Sequence, residues 1–249
     1  MTETRSARRA VVRDGLAVGV ATGAYGVSFG AVAVTSGLSV AQTCTLSLAM
    51  FTGASQFALV GVLGAGGGAG AAAATALLLG TRNTLYGLRL APLLGWRGLR
   101  RVAGAHLVID ESTAMATAPS SRGHERLAFL VTGLSVFVLW NLFTLVGAVA
   151  GTALAGSPWS DPRTLGLDAA VGAAFLGLLW PRLTTTTTRL VALGAAAVAL
   201  GLVPVTLAGV PVLAAGGVAL LVGFLRPAPD APAGAPAGAE AGTHPGAGS

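Results

Sequence analysis

The chain has 249 residues, of which 53% are hydrophobic and 10% charged, and a mean hydropathy of +0.76, which takes it outside the soluble globular class. Apolar stretches long enough to cross a hydrocarbon core of roughly 30 Å recur along nearly all of it, leaving no room for a soluble catalytic domain. The net charge of +6 comes from arginine alone; without lysine there is no Walker P-loop, and arginines gathered at segment ends follow the positive-inside rule without requiring nucleic acid.

Residues 1–14, with Arg5, Arg8, Arg9 and Arg13, form a basic head expected in the cytoplasm. The first apolar segment, residues 15–35, is too long for a signal peptide and lacks a convincing small-residue cleavage site, so it reads as a retained helix. Gly15, Gly19, Gly23, Gly26 and Gly30 fall within an arc of about 80° on that helix. Such a flat face allows close helix contact in lipid, either as dense packing or as a sliding interface, and Gly147 and Gly151 repeat the spacing.

Further segments are predicted at residues 39–63, 70–94, 127–155, 165–180, 189–203 and 206–225. The expected fold is all-α: a polytopic membrane helical bundle of about seven membrane segments, forming a transport domain over residues 15–226. Residues 227–249 turn to Pro, Ala and Gly, too poor in large apolar side chains to fold, and are expected to be a disordered tail. The lone Cys44 lies in an apolar helix and reads as a core residue.

Charge bias raises a topology conflict. Arg97, Arg100, Arg101, Arg122 and Arg126 predict that the 95–126 connection is cytoplasmic, like the N-terminus, yet three full crossings before it would put it outside. At least one early segment is then broken or re-entrant, or residues 106–118 themselves enter the membrane. The polar run Thr81-Arg82-Asn83-Thr84 is one place for such a break.

Arg82 sits in the middle of an otherwise apolar stretch. An arginine at that depth costs roughly 2.5 to 3.5 kcal/mol even on the lenient insertion scale, so it is expected to face a protein-lined cavity and pair with an anion. Tyr86 and Arg89 share its helix face; Arg89 is near enough to the segment end to snorkel. Asp110 and Glu111 are the candidate partners. If their stretch re-enters the membrane, one pairs with Arg82 and the other, desolvated beside a like charge, can carry a proton; on a surface helix both would be solvated charges.

Ser55 and Gln56 place a hydroxyl and an amide inside the second span, for substrate contact or an interhelical hydrogen bond. Trp140 and Asn141 offer an aromatic wall and another amide, and Asp168 reads as a helix N-cap. His106, His124 and His244 lie outside the predicted spans, so neither a metal site nor any cofactor is expected.

These residues resemble the AzlC-type branched-chain amino-acid permease family over nearly all of residues 15–225. The resemblance is carried, in order, by Tyr25-Gly26-Val27-Ser28-Phe29-Gly30, Gly53-Ala54-Ser55-Gln56-Phe57, Arg82-Asn83-Thr84-Leu85-Tyr86 with Ala91-Pro92, Asp110-Glu111-Ser112, Trp140 and Leu167-Asp168-Ala169. It implies the large subunit of an exporter of valine, leucine, isoleucine and sometimes methionine, working with a small AzlD-type membrane partner in the cytoplasmic membrane. The chain departs from the family pattern at Gly80-Thr81, where Asn usually precedes the arginine, and at Ala169, where a bulky aromatic is usual.

The expected site therefore has Arg82 on the substrate carboxylate or on a protein carboxylate, with Gln56, Asn83, Tyr86 and Ser55 as polar contacts. Asp110 or Glu111 takes the amino group or a coupling proton, and Trp140 receives the side chain. No catalytic residue is expected. The rival readings are an uptake carrier of the same fold, an intramembrane enzyme, which would need a base near Ser55 or Ser135 that no candidate span supplies, and a non-transporting scaffold.

Overall fold

The computed structural model describes residues 2–157, 176, 180, 183–206 and 210–225. Those residues are helical, with no strand among them: α1 (Thr2–Thr35), α2 (Val40–Ala49), α3 (Ala54–Gly64), α4 (Ala69–Leu94), α5 (Gly98–His106), α6 (Asp110–Thr117), α7 (Glu125–Ala153), α8 (Thr186–Leu202) and α9 (Val210–Leu225). A short 3-10 turn, Pro119–Ser121, joins α6 to α7. The predicted span at 165–180, Asp168 and the 227–249 tail lie outside the described residues.

α1 and α7 are each long and apolar enough to cross a membrane, and they run parallel in close contact. A methyl added at Gly15 would meet Thr132 at 2.9 Å, one at Gly23 would meet Leu139 at 2.5 Å, and one at Gly151 would meet Val34 at 2.7 Å. The matching order along both helices fixes their relative direction. α1 also carries the basic head without a break: its 34 residues make about 51 Å of helix, longer than the hydrocarbon core, so its first turns stand clear of the apolar layer.

The predicted 39–63 span is not one helix. Ser39 and Gln42 close a capping box, Ser39 N–H donating to Gln42 Oε1 at 2.8 Å and Gln42 N–H to Ser39 Oγ at 3.2 Å, and this starts α2. The helix stops at Met50, and the chain turns through Gly53, whose φ of +61° is a region L side chains rarely enter. Gln56 then folds back so that its Oε1 accepts the Gly53 N–H at 2.9 Å, starting α3. With 10 and 11 residues, each helix covers about 15 Å, half the hydrocarbon depth.

α3 returns to the face from which α2 entered: a methyl on Gly64, its last residue, would lie 2.6 Å from Ser36, one residue past the end of α1. α2 and α3 are thus a re-entrant hairpin with its tip, residues 50–53, near mid-depth beside Trp140. Gly53→Ala is expected to cost roughly 1 to 3 kcal/mol through backbone strain, since the nearest atom to its methyl is 3.9 Å away and leaves room. It should lower the unfolding temperature in detergent, whereas Gly61→Ala, in α3 with open space around it, should not.

α4 crosses back. Gly80 faces Ser55 at mid-depth, and Gly95, just past its end, approaches Arg126 at the start of α7. The 95–126 connection therefore lies on the side where α1 begins, the arginine-rich face. A second hairpin rises from that face. Trp96 packs edge-on to Phe129 at 5.6 Å, Leu107 lies against Gly133, and His106 meets Phe137 at 5.5 Å between centroids. α6 then descends from Asp110 to Ala116 and Thr117, which share a surface hollow with Arg89 and Glu125.

Both predicted ways out of the topology conflict fit the fold: an early segment folds as a hairpin of two short helices, and residues 106–118 turn into the bundle, where Asp110 meets Arg82. The suggested break at 81–84 is not there, since α4 is continuous through it. A long helix followed by a half-depth hairpin occurs twice, as α1–α2–α3 and α4–α5–α6, with opposite orientation. That is the order of an inverted repeat.

Candidate functional site

The two hairpin tips meet beside the middle of α4, where Arg82 projects between them. Its Nη2 lies 2.8 Å from Asp110 Oδ2, at the start of α6, and approaches the Thr52 carbonyl oxygen on the other tip at 3.5 Å. One turn further along α4, the Tyr86 hydroxyl donates to Asp110 Oδ1 at 2.6 Å. Both carboxylate oxygens of a residue only 9% exposed are thereby bonded, the satisfaction a buried charge requires. The sequence face shared by Arg82 and Tyr86 converges on one anion, while Arg89 is exposed near the helix end.

Local chemistry sets Asp110 in place. Ser112 accepts the Ile109 N–H at 3.1 Å and donates to the Leu107 carbonyl at 2.6 Å, starting α6 at the hairpin tip much as Gln56 starts α3. The first carboxylates of α6 therefore stand at a helix N-terminus, which favours negative charge. Glu111, the next residue, lines the same cavity as Thr22 and Tyr25 of α1.

Arg82, Asp110, Glu111 and Trp140 line one cavity of about 90 Å³, completed by Thr22, Tyr25, Phe51, Thr52, Phe57 and Val136 among others. Trp140 is 3% exposed, stacked on Phe29 at 5.9 Å and edge-on to Phe57 at 6.0 Å, so it is a fixed apolar wall. The other sequence candidates stand elsewhere. Ser55 and Gln56 are buried behind the tip, where the Gln56 carbonyl oxygen caps α3 and does not line the cavity. Asn83 faces a separate, larger chamber. Asn141 donates to the Phe137 carbonyl within its own helix at 2.8 Å.

Sequence reasoning missed Thr22 and Tyr25 of α1, although a Thr and a Tyr three residues apart in the mostly glycine and aliphatic part of that helix were a usable signal. Phe51 and Thr52 could not be found that way, because their role depends on a turn inside an apolar run. His106, the last residue of α5, is exposed, with its ring 6.1 Å from that of Phe51. Among the described residues no group of three or more His, Cys, Asp or Glu side chains could hold a metal ion.

A helical membrane bundle with an ion pair held between two half-depth hairpins, beside an aromatic-walled cavity, has the anatomy of a transport protein. The family described as AzlC protein matches residues 17–154, from α1 to the end of α7, and the chain belongs to it. It is accordingly a membrane component of branched-chain amino-acid transport. Neither a curated protein nor a solved structure matches the chain.

Proposed function

We propose that the protein is a secondary transporter subunit that exports leucine, isoleucine, valine and also methionine across the cytoplasmic membrane. It works with a small AzlD-type membrane subunit, is coupled to protons, and has its N-terminus in the cytoplasm. The observation that carries this reading is the Arg82–Asp110 pair at the meeting point of the two hairpins.

A zwitterion brings one charge of each sign and can substitute for both partners. Its carboxylate takes Arg82 and its ammonium takes Asp110, so neither protein charge is left unpaired in the low-dielectric layer. Without substrate the two groups neutralise one another. Phe57, Val136 and Trp140 receive the aliphatic side chain, Tyr86 positions Asp110, and Gln56 and Ser55 support the first tip from behind. Glu111, in the same cavity as Thr22 and the pair, carries the coupling proton.

Arginines on the face where α1 begins support the cytoplasmic N-terminus. Counterflow of labelled leucine, valine and lysine in proteoliposomes, with and without the small partner and at two pH gradients, tests the whole reading. Leucine and valine should exchange in a partner-dependent and pH-dependent way, and lysine should not. Equal exchange of lysine, or no leucine exchange with the partner present, would overturn it.

A further inference from the structure

Below the tip of the first hairpin, between α4 and α5, lies a second chamber of about 530 Å³, on the same measure that gives about 90 Å³ for the Arg82 cavity. Ligand pockets ordinarily hold about 300 to 1,000 Å³, so the outer chamber can take a whole amino acid while the inner one needs local opening first. The lining is divided by chemistry. Leu88, Leu90, Leu94 and Val108 are apolar; Arg101 and His106 lie toward α5; and Asn83 stands on α4. The Asn83 Oδ1 is buried without a hydrogen-bond partner, an acceptor that a turn of the amide toward the chamber would offer to a ligand ammonium.

The two chambers adjoin at one place. Phe51 and Thr52, at the hairpin tip, line both. Thr52 is held by Arg82 through its carbonyl, and its hydroxyl donates to the Met50 carbonyl at 3.3 Å. Phe51 is 4% exposed and wedged edge-on to Phe137 at 5.1 Å.

We propose that the larger chamber is a second, outer binding site for the transported aliphatic amino acid, and that Phe51 is the gate between it and the Arg82 cavity. In this site Arg101 attracts the carboxylate, Asn83 accepts from the ammonium, and the α4 leucines cover the side chain. Substrate passes inward when the Phe51 ring leaves the Phe137 edge. The lining reaches the arginine-rich connection at Trp96 and Arg101, and on this proposal substrate loads from that side. The inference rests on the amino-acid carrier reading above and adds a site and a gate to it.

Thiol labelling in sealed vesicles of each orientation tests it without relying on transport. In a Cys44→Ala background, Gly87→Cys places a thiol on the chamber wall, where nothing lies within 4 Å of the added atom, and Ala54→Cys places one in the Arg82 cavity. An impermeant methanethiosulfonate should modify the Gly87→Cys protein from the arginine-rich face alone, and millimolar leucine should protect it. The Ala54→Cys protein should react slowly, and Phe51→Ala should speed it by roughly tenfold or more from that same face. Phe51→Leu should have a smaller effect and covers the case in which the alanine variant fails to fold.

Modification of the Gly87→Cys protein from the opposite face, or an Ala54→Cys rate unchanged by both Phe51 substitutions, would overturn the proposal. Leucine protecting the Ala54→Cys protein but not the Gly87→Cys protein would remove the outer site and leave the carrier reading standing. Protection of neither by any aliphatic amino acid would remove both.

Discussion

Arg82→Gln is expected to abolish leucine exchange and to destabilise the protein, and Asp110→Asn to do much the same. In the first variant Asp110 stays buried and loses the guanidinium 2.8 Å away; in the second, Arg82 keeps its charge at membrane depth without its carboxylate. Removing one partner of a buried ion pair costs about 3 to 5 kcal/mol, while replacing both together can be nearly neutral. The double variant Arg82→Gln with Asp110→Asn should therefore recover most of the unfolding temperature lost by either single change, yet remain inactive in counterflow. Recovery of exchange along with stability would make the pair a structural lock and remove it from the substrate site.

The pair itself was legible in the sequence. An arginine in an apolar run is expensive enough to demand a partner, and of the nine acidic residues of the chain three lie in a similarly apolar setting: Asp110, Glu111 and Asp168, the last of which reads as a helix N-cap. The basic 95–126 connection then required an even number of crossings before it. α1 and α4 supply two, and the first hairpin adds none.

What composition could not locate was the turn. A re-entrant hairpin needs the same apolar side chains as a crossing helix of twice its length, so residues 39–63 carry no hydropathy mark at 50–53. The more polar run at 81–84 carries a polar mark but no break. Polar side chains do not break a helix when they find partners from within it: the Thr81 hydroxyl donates to the Leu78 carbonyl at 2.6 Å, and Arg82 reaches sideways without disturbing its own backbone. Gln56 is ambiguous in a related way. Its amide can cap a local helix or meet a ligand, and only the turn at Gly53 shows that the capping role takes its oxygen.

Gly30→Ala and Gly147→Ala are expected to be the most damaging of the conservative substitutions, each lowering the yield of folded protein several-fold. Helices in lipid gain little from burying apolar area against one another, so their association depends on close backbone approach and van der Waals contact. At these two positions the approach is backbone to backbone: a methyl on Gly30 would collide with the Thr144 carbonyl oxygen, and one on Gly147 with that of Val27. A neighbouring side chain could rotate away, but a carbonyl in the middle of a helix cannot, so the whole α1–α7 contact must open. Overpacking ordinarily costs about 1 to 3 kcal/mol, and these sites belong at or above the top of that range. Gly19→Ala should be somewhat milder, because its methyl meets the Ser135 Oγ and Cβ and not a carbonyl oxygen, and Gly194→Ala, with open space around it, should be neutral. Unfolding temperatures of the four variants in one detergent check the order. An interlock of this kind between α1 and α7 favours a fixed scaffold over a sliding interface, leaving the two hairpins as the parts that move. If Gly30→Ala instead kept its unfolding temperature and changed only the exchange rate, the α1–α7 contact would itself be the moving surface.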